Sequence, residues 1–78
     1  MTVRTTLAVK SSMIKSLTYW PKGDNPHELE AIDVEFNSGV SWRYPGTEGT
    51  FWAIANAKSP GQTFIALLRS KVKGQKLT

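Results

Sequence analysis

The sequence has no cysteine, a single histidine and no long apolar run, and each absence removes a class of function. Without cysteine, neither disulfides nor thiolate metal sites contribute to folding or chemistry. The one histidine, His27, follows Pro26 in a loop, so no base stands ready to activate a hydroxyl nucleophile. No glycine-rich segment leads from a strand into a helix, as phosphate-binding loops do. No apolar stretch nears the roughly 20 residues of a membrane span, and Met1-Thr2-Val3-Arg4 lacks a signal peptide's apolar core. The remaining carboxylates form no catalytic or metal grouping. Asp33 and Glu35 share one strand face, where they coat a wet surface with Arg43 as partner, and Glu28 and Glu30 beside His27 match no closed metal site. The expectation is a cytoplasmic domain that is not an enzyme and carries no metal or cofactor.

Seventy-eight residues suffice for one domain, and a 40% hydrophobic content with three Trp, three Phe and two Tyr is enough for a core and too apolar for a disordered tail. The charge, net +4, is unevenly laid out. Residues 1–23 carry four bases and no acid, residues 24–48 carry all six acids and one base, and residues 49–78 carry five bases and no acid. Segregation of this kind builds a field that attracts polyanions, although a small basic protein also gains solubility from it.

Residues 1–11, rich in Thr and Ser, read as a lead-in or a weak edge strand. A first strand is expected from about Met13 to Trp20, with Leu17 and Tyr19 on one face and Trp20 on the other, followed by a loop over residues 21–26. A second strand, about Leu29 to Phe36, puts Ile32, Val34 and Phe36 opposite in direction to Asp33 and Glu35. Val40, Trp42 and Tyr44 form the apolar face of a third. Only an odd loop keeps these two apolar rows on one face, so a three-residue turn over 37–39 is predicted, with Gly39 left-handed and Asp33 directly across from Arg43.

Pro45-Gly46 ends the third strand, and two helices are expected beyond it. The first runs from about Thr47 to Ala57, capped by Thr47, with Phe51 and Ile54 inward. The second starts at Ser59-Pro60, where Ser59 and Gln62 have capping-box spacing, buries Phe64, Leu67 and Leu68, and closes at Gly74. The fold class is thus α+β: a three-stranded antiparallel meander, then two helices packed on one face, with residues 12–73 as the domain and 74–78 as a tail. Ile32, Val34, Phe36, Val40, Trp42, Tyr44, Phe51, Ile54, Phe64, Leu67 and Leu68 are the expected core.

Two candidate surfaces follow. Arg69 and Lys73 stand one turn apart, opposite the apolar stripe of the second helix, with Lys76 beyond; with Arg43 and Lys58 they are candidate phosphate contacts, and Trp52 is a candidate base-stacking residue. Trp20 and Trp52 are the alternative: aromatic anchors for a protein partner. Stacking on Trp42 and Tyr44 needs an open sheet face, which the helices are expected to close.

With these residues placed, the chain resembles the KTSC domain, a module named for the C-terminus of some lysyl-tRNA synthetases and also found alone in bacteria and phages. The resemblance spans Ser12 to Val72. It rests on Ser12 with Tyr19, Val34-x-Phe36-x-x-Gly39, Trp42-Arg43-Tyr44, and Ala57-x-Ser59-x-Gly61-x-x-Phe64 with Arg69. Trp42 stands where the family's central motif usually has Tyr, and Gly46-Thr47 replaces the usual Val-Pro. The resemblance implies the fold above and a small binding module, with RNA ahead of DNA from the synthetase context. Standalone phage members imply an alternative: an accessory protein that inhibits a host protein or sequesters a nucleotide.

Overall fold

The computed structural model describes residues 4–23 and 30–77. The Asp24-Asn25-Pro26 part of the predicted loop, His27, Glu28 and the predicted strand start at Leu29 lie outside the described residues, as do residues 1–3 and 78.

Among the described residues the chain forms β1 (Thr5–Ala8), β2 (Ile14–Trp20), β3 (Ala31–Phe36), β4 (Ser41–Pro45), α1 (Glu48–Ala55), α2 (Pro60–Phe64) and β5 (Gln75–Lys76). A π-helical stretch, Ile65–Arg69, continues α2 directly. The strands form one antiparallel sheet in the order β1-β2-β3-β4-β5. The α+β class and the two helices after the meander are as expected; five strands rather than three are not. The edge-strand reading of the N-terminal segment holds for Thr5–Ala8. β5 arises in the presumed tail, where Leu77 N–H donates to Ser41 O at 2.8 Å. A two-residue strand carries no periodicity of its own and forms only because β4 offers it an edge.

The β3–β4 hairpin has the predicted register. Val34 faces Trp42, Asp33 faces Arg43 and Ile32 faces Tyr44. Phe36 and Val40 close the loop through Phe36 N–H to Val40 O at 2.9 Å, and Gly39 adopts φ +92°, open to glycine at no steric cost. In β2 the pairing shifts between Ile14 and Ser16, leaving Lys15 as the extra residue of a bulge. Leu17 and Tyr19 point inward by odd parity; the bulge reverses that parity and sends Ile14 inward as well, fully buried.

Thr47 caps α1 as expected: its backbone is extended (φ −92°, ψ 167°) and its Oγ1 accepts from Thr50 N–H at 3.3 Å. Ser59 does not cap α2, contrary to the capping-box expectation. Its backbone (φ −124°, ψ 84°) is turned away from cap geometry, and it contributes only its carbonyl, to Thr63 N–H at 3.0 Å. The predicted second helix also stops short of Gly74. After the π stretch, where Ser70 N–H reaches Ile65 O at 3.0 Å, the chain turns back toward the sheet. Gly74 instead lies flat on Tyr44, whose ring a Cβ at Gly74 would overlap.

The core joins Ile14, Leu17, Tyr19, Ile32 and Val34 of the sheet to Phe51, Ile54, Phe64 and Leu68 of the helices. Phe64 sits edge-on to both Tyr44 (5.1 Å) and Phe36 (5.7 Å). Phe36, Val40, Trp42 and Leu67, expected in the core, are only half-buried. The helices cover the sheet incompletely, and its hairpin end projects beyond them.

Candidate functional site

That uncovered end forms a groove of about 790 Å³ between the β3–β4 hairpin and the segment after α2. The size falls in the ~300–1,000 Å³ range of small-ligand sites. Its floor is aromatic: Phe36, Trp42 and Tyr44, the last two stacked at 6.3 Å and 22°. One wall is basic, Arg69 and Lys73; the other is polar, with Ser12, Asn37 and Ser38. Lys76 stands opposite Trp42 in the β4–β5 register and so flanks the same aromatic. Among the described residues no carboxylate lines it. Burial raises the pKa of the Tyr44 hydroxyl, while the positive charge of Arg69 pulls it the other way.

A second, smaller groove of about 330 Å³ adjoins the first, with Ser12 and Met13 lining both. Among the described residues Lys10 and Lys58 are its charged lining, and again no acid lines it.

The structure thus divides the sequence-derived candidates. Arg69 and Lys73 line the groove with Trp42, Lys76 is Trp42's partner across the β4–β5 pair without being among the lining residues, and Lys58 lies in the adjoining groove. Arg43 is on the opposite, helix-free face. Its Nε donates to Asp33 Oδ1 at 2.7 Å and its Nη2 to Asp33 Oδ2 at 2.9 Å, and this hydrogen bonding raises its pKa. A guanidinium so committed is a poor phosphate ligand. Trp52 is 40% exposed on the outside of α1, edge-on to Phe51 and with Nε1 3.5 Å from Glu48 Oε2, and lines neither groove.

Trp20, the other candidate protein anchor, is tied into the helix-free face. Its Nε1–H donates to Asp33 Oδ2 at 2.8 Å, and the guanidinium groups of Arg4 and Arg43 lie 5.0 and 5.4 Å from its ring. Lys10, Asn37 and Ser38 are site residues that sequence reasoning missed; each sits in a polar stretch whose pattern carries no sign of a groove. Among the described residues no three His, Cys, Asp or Glu side chains gather to hold a metal, and no helix is long and apolar enough to cross a membrane.

A scan against protein-family models and a search of curated proteins find no match. Among solved structures, a KTSC domain protein from Yersinia pestis superposes with a TM-score of 0.77 at 22% identity, covering 97% of this chain and 100% of that one. The chain has the fold of a KTSC domain.

Proposed function

We propose that the protein is a non-catalytic binding module for single-stranded nucleic acid, RNA ahead of DNA. One observation carries the reading: a basic wall and an aromatic floor share one groove that has no acid among its described lining residues. Arg69, Lys73 and Lys76 supply phosphate contacts, with Arg69 able to clamp bidentately. Trp42 offers a face for an unstacked base, and stacking of this kind contributes ~1–3 kcal/mol per base. A single strand fits better than a duplex, because paired bases keep their faces stacked on one another and out of reach of Trp42.

The test is binding of a short single-stranded RNA, followed by fluorescence anisotropy over a salt series. The three phosphate contacts of this groove contribute about −2 to the log–log slope for a single strand, or ~20-fold weaker binding between 50 and 200 mM salt. Arg69→Ala with Lys73→Ala should flatten the measured slope by about 1.4. A duplex and a DNA strand of the same sequence complete the comparison. No binding of any of these strands, with a protein instead captured in a salt-insensitive way and lost with Trp52→Ala, would favour the protein-partner alternative.

A further inference from the structure

We propose that Lys10 and Lys58 form a second phosphate-binding station, continuous with the first groove, so that the ligand is an oligonucleotide chain and not a free nucleotide. The proposal rests on the nucleic-acid reading of the first groove. It begins from the shared lining: Ser12 and Met13 belong to both grooves, so the two adjoin along this saddle of chain. Among the described residues neither groove has a carboxylate to repel a backbone passing through. Both lysines are exposed and free of ion pairs among the described residues.

The saddle is held from both sides. Ser11 Oγ accepts from Met13 N–H at 3.1 Å and Ile14 N–H at 3.2 Å. Asn37 ties the hairpin to it, Nδ2 donating to Ser11 O at 3.0 Å and the backbone N–H to Met13 O at 2.9 Å. From below, Gly61 brings the start of α2 against it: a Cβ there would lie 3.1 Å from Met13 Cε and 3.4 Å from Ser11 Oγ. The track is therefore formed before a ligand arrives, which lowers the ordering cost of binding.

The two stations are separated by the length of the second helix. Lys58 precedes it, and Arg69 ends its five α-helical and five π-helical residues, a span of roughly 15 Å. A free nucleotide would fill the aromatic groove and leave Lys10 and Lys58 unused, whereas a chain running over Ser12 and Met13 engages both.

The experiment compares a dinucleotide, titrated by NMR, with an octanucleotide of the same base, followed by anisotropy, on the full chain. Lys10→Ala with Lys58→Ala should weaken the octanucleotide about 25-fold at 0.1 M salt, a factor of ten below 1 M raised to 0.7 for each of two contacts. Dinucleotide affinity should change less than about twofold, because a salt-sensitive contact it never makes cannot be lost. Equal losses for both lengths, or no loss for either, would overturn the second station. Arg69→Ala with Lys73→Ala is the separate control: if it leaves both ligands untouched, the reading of the first groove fails instead.

Discussion

Phe64→Ala is the sharpest test of the architecture that positions the groove. Phe64 is fully buried, and its ring meets Tyr44 and Phe36 edge-on, so one side chain joins the second helix to the groove floor. Truncation removes the transfer free energy of the ring, opens a cavity and loses both aromatic contacts, together about 3–5 kcal/mol. A 78-residue domain of ordinary stability has roughly 4–12 kcal/mol in total, so the variant loses about a quarter or more of its margin. At ~4–8 °C per kcal/mol for this size, thermal denaturation followed by circular dichroism should show Tm falling by at least about 12 °C. Phe64→Leu, which keeps most of the volume, should recover most of that loss. A Phe64→Ala protein melting within a few degrees of wild type would mean that Phe64 does not join helix to sheet, and the groove derived from that packing would go with it.

Thr47→Ala should destabilise by about 1 kcal/mol, while Ser59→Ala should stay within about 0.5 kcal/mol of wild type, because only Thr47 makes a side-chain cap; chemical denaturation ranks them directly. Asp33→Ala strands Arg43 and the Trp20 N–H together and should lower stability by ~1–3 kcal/mol in the same assay, with Arg43→Ala in the same chain recovering part of it. The Tyr19 hydroxyl is pushed up to about 12, first by burial and then by its hydrogen bond to Glu30 Oε2. The folded state holds this proton where the unfolded chain releases it near pH ~10, so the stabilisation is complete below pH ~10 and is lost as pH rises through about 12. Stability of Tyr19→Phe should fall less steeply across that window, and parallel curves would refute the assignment.

The chain's own pattern determined its local grammar. Period-2 alternation in residues 32–36 and 40–44 leaves one register that buries both apolar rows, and that register brought Asp33 to Arg43. Thr47 before an acidic first turn was enough to start α1. What lay beyond reach depended on partners distant in sequence. The bulge at Lys15 reverses the parity of Ile14, and parity read along the strand cannot register an inserted residue. Ser59 has a capping residue's chemistry but not its backbone angles, and residue type alone does not reveal those angles. β5 exists only where β4 presents an edge to it. The groove, finally, is a failure of coverage: alternation marks Phe36 and Trp42 as apolar-facing, but how far the helices reach over the sheet is fixed by where Phe64 and Leu68 dock. Pattern decided which way each side chain points, and only tertiary packing decided which apolar face stayed open.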